Sequence, residues 1–240
     1  MQLELCASTP IDVAVAREAG ADRVELCGHW ECGGLTPTPA VVRVCASIGI
    51  PIRALIRPRA GHFFYDSTER HLILAESLDS LEAGAEKVVF GGLRADGDLD
   101  EELLEMLVKG VGGENLVMHR AIDVCADPIK AGQLLLDYGV NEVLTSGGAP
   151  AAGLGLSLIK DLSSLGLEVI AGCGVRPDDV VSLGEAGVAV VHAGCRVKEL
   201  PEGVEVNSEL FDLNTHPLDF DKAAALTDAV YNWNNTEDEE

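Results

Sequence analysis

Gly20-Ala21-Asp22-Arg23-Val24-Glu25-Leu26-Cys27 has a glycine followed by a short polar stretch and then a β-branched or apolar run. The same local grammar recurs at Gly84-Ala85-Glu86-Lys87-Val88-Val89-Phe90, at Gly139-Val140-Asn141-Glu142-Val143-Leu144-Thr145 and at Gly187-Val188-Ala189-Val190-Val191-His192. In each, the glycine suits the left-handed residue that closes a helix, and the run after it suits a buried strand. Four shorter strand candidates lie between these segments: Leu3 to Cys6, Ile52 to Arg57, Leu116 to His119 and Leu167 to Ala171.

Helical patterns fill the gaps, over 10–19, 39–47, 68–83, 100–108, 128–138, 154–162, 177–186 and 220–233. Several open with helix-entry chemistry: Ser8 and Thr9 before Pro10, Thr38 before Pro39, and Asp127 before Pro128. Strands alternating with helices pair in parallel, and eight such units in a chain of 240 residues predict a single-domain TIM (β/α)8 barrel. A doubly wound open sheet is the alternative. The sequence has neither the Gly-x-Gly-x-x-Gly dinucleotide fingerprint nor the Gly-Lys-Ser/Thr phosphate loop. The barrel is expected over 1–235, with an irregular insertion at about 196–217 and an acidic, frayed tail at 236–240.

Composition narrows the function classes. Lys and Arg number 17 against 40 Asp and Glu, for a net charge of −23, while 47% of residues are apolar. That apolar content is too high for a disordered acidic chain. The overall charge argues against nucleic acid or an anionic membrane surface as partner. No apolar run of about 18 residues offers a membrane span. The N-terminus lacks the basic and apolar regions of a signal peptide. Seven scattered cysteines do not form a disulfide framework, so a cytoplasmic protein with reduced thiols is expected.

In this fold the chemistry lies at the C-terminal ends of the strands. Those positions carry Glu4 and Cys6, Glu25 and Cys27, Arg57 and Arg59, His119 and Arg120 with Asp123 behind them, Ser146, Gly172 and Gly174 around Cys173, and His192 with Gly194. The sharpest feature is the doubled Glu-Leu-Cys on the first two strands. Strand period two puts each Glu and Cys on one face, and adjacent strands lie about 4.8 Å apart. Cys6 and Cys27 are therefore expected inward at matched heights, as soft metal ligands, a disulfide or two idle thiols.

Glu4 and Glu25 against Arg57 and Arg59 suggest either an anion- or sugar-binding mouth or a salt-bridge network holding the strands in register. Glu25, His119 and Asp123 are the acid/base candidates, with His192 a further one. Gly172, Gly174 and Gly194, with Arg120 and Ser146, mark a candidate anion subsite where barrels often bind phosphate; such glycines also simply make tight turns.

Several long stretches resemble the CutC family, named for copper homeostasis. They are Glu4-Leu5-Cys6, Gly20 to Cys27, Gly33-Gly34-Leu35-Thr36-Pro37, Ile56-Arg57-Pro58-Arg59-Ala60-Gly61, Val89-Phe90-Gly91, Met118-His119-Arg120-Ala121-Ile122-Asp123, Asp127-Pro128 and Val143 to Gly148. The resemblance implies a cytoplasmic, often oligomeric TIM barrel associated with copper handling, with Cu(I) ligands falling on Cys6 and Cys27. The sequence departs from the family at His62, where Asp is usual, at Cys173, where Gly is typical, and at Gly194-Cys195, where Ser-Ala is usual.

Two functions follow as expectations. The first is a copper homeostasis protein that binds or traffics Cu(I) through paired cysteines. The alternative is a metal-independent enzyme for a small anionic, phosphorylated or sugar-like substrate, for which no reaction is assignable.

Overall fold

A computed structural model describes residues 1–200, 203 and 212–237. Eight parallel strands close into a barrel in sequence order. They are β1 (Gln2–Ala7), β2 (Arg23–Leu26), β3 (Ile52–Leu55), β4 (Lys87–Phe90), β5 (Leu116–Met118), β6 (Glu142–Thr145), β7 (Glu168–Gly172) and β8 (Val190–Ala193). The helices between and after them are α1 (Pro10–Glu18), α2 (Pro39–Ala46), α3 (Ser67–Glu82), α4 (Glu101–Val111), α5 (Pro128–Asp137), α6 (Leu156–Ser164), α7 (Val180–Glu185) and α8 (Phe220–Glu237). The (β/α)8 barrel expected from the sequence is the architecture observed.

The local reasons are those the sequence offers. Gly20, Gly84, Gly139 and Gly187 all take positive φ, between 75° and 109°, where each helix hands over to its strand. Thr9 caps α1 in a reciprocal box with Asp12, and Asp127 accepts from Lys130 N–H in front of Pro128. Asp12 does more than cap. Its carboxylate also takes the Leu218 N–H at 3.0 Å and Arg196 Nη1 at 3.0 Å, which ties the approach to α8 back onto α1.

The expected insertion is described at Gly203 and at its ends, which pair antiparallel through Arg196 with Leu218 and Glu199 with Thr215. Residues 201–202 and 204–211 lie outside the described set. Helix α8 runs to Glu237, past the expected start of the tail at 236, and residues 238–240 lie outside the described set. No helix among the described residues is long and apolar enough to cross a membrane.

The barrel interior is layered. Its floor is charged: Arg23 binds Glu4 at 2.7 Å, Arg53 binds Glu142, Lys87 reaches the other Glu142 oxygen at 2.5 Å, and Glu168 sits 3.8 Å from Arg23. Above it Leu55, Val89, Val117, Leu144, Ile170 and Val190 form a compact apolar layer that includes Cys27. The helices bury their apolar faces against the outside of the strands in a second, larger core.

The register corrects one expectation. Cys6 of β1 pairs with Glu25 of β2, not with Cys27, and Glu4 pairs with Arg23. The shear that closes a barrel staggers neighbouring strands, so identical motifs on β1 and β2 are offset by two residues. Cys27 therefore stands one inward position nearer the mouth than Cys6.

Candidate functional site

The C-terminal ends of the strands open into a cavity of about 960 Å³. Cys6, Glu25, His119 and His192 contribute to its inner wall. Five of the seven cysteines line it: Cys6, Cys27, Cys32, Cys173 and Cys195, and all seven are free thiols.

At its base is a linear relay. Cys6 Sγ lies 3.0 Å from His192 Nε2, and His192 Nδ1 lies 2.8 Å from Glu4 Oε1. The second Glu4 oxygen accepts from Arg23 Nε at 2.7 Å, with Arg53 Nη1 at 3.7 Å. Glu4 is 1% exposed. Burial alone would raise its pKa, but the His192 hydrogen bond and charge, with Arg23 and Arg53, hold it down at about 2. Burial likewise opposes the His192 imidazolium, yet the Cys6 sulfur and the Glu4 hydrogen bond keep its pKa well above the usual histidine range. Burial pushes the Cys6 thiol up, against the lowering effect of His192.

Glu25 completes a cluster: one donor atom each from Cys6, Glu25 and His192 lie within 4.8 Å of one another. Its Oε2 is buried with no hydrogen-bond partner, and desolvation raises its pKa to about 7. Cys27 is not part of that three-residue cluster. Its sulfur instead lies 3.7 Å from Ser8 Oγ, and burial raises its pKa strongly.

His119 forms the opposite wall. The Ala121 N–H donates to His119 Nδ1 at 3.0 Å, so the ring proton sits on Nε2. That Nε2 is buried and has no partner, and burial holds the pKa near 4, keeping the ring neutral. Phe63 packs against the ring at 4.9 Å between centroids. Gly91 leaves the space it needs, because a β-carbon there would overlap the His119 ring. Gly91→Ala should therefore cost about 1–3 kcal/mol of stability by overpacking, read as a lower midpoint in urea unfolding. An unchanged midpoint would show that the ring is free to move.

The other sequence candidates divide sharply. Glu4 and Glu25 do not pair with Arg57 and Arg59; the partners of Glu4 are Arg23 and Arg53, which point inward from the strands themselves. Arg57 lines the cavity, donates to the carbonyls of Cys32, Gly34 and Gly61, and lies over Phe63 at 5.3 Å. Arg59 is turned away onto Glu69 and the Tyr65 ring and does not line the cavity.

Asp123 is consumed as a loop anchor. It accepts from Thr145 Oγ1, from Ser146 Oγ at 2.9 Å, from the Ser146 and Gly148 N–H groups at 3.1 Å, and from Arg120. Ser146 Oγ therefore faces Asp123 and does not line the cavity. Arg120, Gly174 and Gly194 line it, whereas Gly172 packs against Leu144 and His192.

Sequence reasoning missed Arg23 and Arg53. The inward parity of Arg23, Glu25 and Cys27 was the available signal. It also missed Arg176, Arg196 and Lys222, which reach the cavity from loops and from α8. Cys173 and Cys195 adopt φ of 83° and 45°, so two non-glycine residues sit in left-handed conformations at the rim. Glycine would take the Cys173 conformation without that strain.

A family model described as the CutC family matches residues 1–197. Two relatives named "family protein CutC" are each 39% identical. The one from Glaesserella parasuis aligns over 184 residues, covering 75% of this chain and 76% of its own. The one from Porphyromonas gingivalis aligns over 201 residues, covering 82% and 81%. Among solved structures, the "Putative Copper Homeostasis Protein CutC from Streptococcus agalactiae" superposes with a TM-score of 0.75 at 28% identity, over 80% of this chain and 98% of that one.

Proposed function

The chain belongs to the CutC family, and from that premise we propose that it serves copper homeostasis by holding Cu(I) between the Cys6 thiolate and the His192 imidazole. The observation that carries this reading is the 3.0 Å approach of Cys6 Sγ to His192 Nε2, with a Glu25 oxygen in the same cluster. Sulfur and imidazole nitrogen are donors that suit a soft monovalent copper ion. The carboxylate of Glu4 on the far nitrogen is the usual backing of a metal-bound histidine: it fixes the tautomer and makes Nε2 the free donor.

Metal bonds of roughly 2.3 Å to sulfur and 2.0 Å to nitrogen, borrowed from zinc, mean that Sγ and Nε2 must part from 3.0 Å toward about 4.3 Å for the ion to sit between them. The proton held between them leaves at the same time. Cys27, Cys32, Cys173 and Cys195 add thiols along the approach, so Cys27 is a donor for capture and transfer in this scheme. Seven free cysteines suit a reducing cytoplasm. A homo-oligomeric state rests on the family resemblance alone.

Anaerobically reduced protein should retain about one Cu(I) against a competing chelator. Cys6→Ser and His192→Gln should each weaken retention by about tenfold or more, and Cys27→Ser by less. Failure to retain copper sinks the proposal. Dependence on Cys27 without dependence on His192 would restore the two-cysteine ligand set.

A further inference from the structure

The charges around the cavity do not match a bare cation as its only ligand. Arg57, Arg120, Arg176, Arg196 and Lys222 line it, against the single carboxylate of Glu25. In a chain with 17 basic residues and a net charge of −23, that is a concentrated cationic patch. Arg120 is paired with Asp123, and Arg196 with Asp12. Arg57, Arg176 and Lys222 have no carboxylate within ion-pair distance among the described residues.

Four polar atoms of cavity-lining side chains are buried and unpartnered: His119 Nε2, Glu25 Oε2, Arg57 Nε and Arg196 Nε. His119 and Glu25 are 5% and 6% exposed, so water does not readily satisfy them. A buried polar group left unpaired is costly, and its position marks where a ligand atom fits. Two of the four belong together, because Phe63 touches both the Arg57 guanidinium and the His119 ring. The rest of the wall is apolar, from Trp30, Leu55, Phe63 and Leu144. A roomy apolar cleft with a few convergent polar groups is the usual form of a small-molecule site.

We infer that the cavity binds a small anionic polyol, such as a sugar phosphate or a sugar acid, independently of metal. Its anionic group lies toward Arg176 and Lys222 at the rim. An oxygen of its carbon chain accepts from His119 Nε2–H and Arg57 Nε–H, and a hydroxyl donates to Glu25 Oε2. The fixed tautomer of His119 makes this wall a donor of one sense, so the ligand must present an acceptor oxygen there, and an N–H group without a lone pair is rejected. Neither Cys6 nor His192 takes part, and Glu25 is the one residue this site shares with their cluster.

Chelator-treated protein titrated by calorimetry with ribose 5-phosphate, gluconate, ribose and inorganic phosphate tests the inference. Ribose 5-phosphate or gluconate should bind with a Kd below about 1 mM, and ribose and inorganic phosphate about tenfold or more weaker than the better of the two. The relative strength of the two anions tells phosphate from carboxylate. His119→Phe should weaken the better ligand by about tenfold, and so should the exposed rim variant Arg176→Glu/Lys222→Glu, which touches no buried contact. Cys6→Ser should leave binding in place while losing copper, so the two proposals fail separately. The inference is overturned if neither anion binds, if ribose or inorganic phosphate binds as tightly as the better anion, or if the rim variant leaves binding unchanged.

Discussion

Glu4→Gln should lower the free energy of unfolding by about 3–5 kcal/mol at neutral pH, the cost of removing one partner from a buried charge cluster. The substitution keeps the shape and removes the charge. Arg23 at 2.7 Å, Arg53 at 3.7 Å and His192 at 2.8 Å would all lose the carboxylate that compensates them. All three are buried, and little water can replace it.

The wild-type contribution also has a definite pH window. The Glu4 pKa is depressed from 4.5 to about 2, so its stabilisation is complete above 4.5 and is lost as pH falls toward 2. The variant should lack that acid-side loss. Urea unfolding of both proteins at pH 7 and at pH 3.5 measures both effects. Equal stability at pH 7 would mean that the floor of the barrel tolerates unpaired arginines.

Glu25→Gln should do the reverse. The pKa of Glu25 is raised from 4.5 to about 7 by burial, so the folded protein holds this proton more tightly than the unfolded chain. For such a group the stability present below pH 4.5 is lost as pH rises through 7. The shift corresponds to about 3 kcal/mol. Above pH 7 the amide should be more stable than the wild type by most of that amount, relative to the same comparison at pH 4.

The wild-type profile alone would hide the effect. His119 is shifted from 6.5 down to about 4, and its contribution grows with pH over an overlapping range. The difference between Glu25→Gln and wild type isolates Glu25, and a difference that does not change with pH would contradict the assignment. If the variant is more stable, the native carboxylate is retained at a cost in stability, as expected of a group kept for binding.

These effects show where sequence reading succeeded and where it stopped. The barrel was legible because local signals agreed: glycine ahead of four of the strand runs, and Thr-Pro or Asp-Pro ahead of three of the helices. Each depends on a few neighbouring residues. The site depends on register and closure instead. Glu-Leu-Cys repeated on β1 and β2 placed Glu and Cys inward, but the barrel stagger set Cys6 opposite Glu25. His192 meets Cys6 and Glu4 only because β8 closes onto β1, joining residues 186 and 188 positions apart. Nothing local marks that contact.

Arg57 and Arg59 were the visible arginines, sitting in a conspicuous Arg-Pro-Arg. The ones that hold Glu4 are Arg23 and Arg53, placed early in their strands where a functional mouth was not expected. Asp123 was attractive beside His119, yet Thr145, Ser146 and Gly148 occupy its oxygens.

The ligand set of the bound ion is the most direct test of the central claim. Copper X-ray absorption on reduced protein loaded with one equivalent of Cu(I) should show a mixed shell containing sulfur from Cys6 and imidazole nitrogen from His192, and the nitrogen component should vanish in His192→Gln. A shell of two sulfurs without nitrogen, unchanged in that variant, would contradict it and return the site to Cys6 and Cys27.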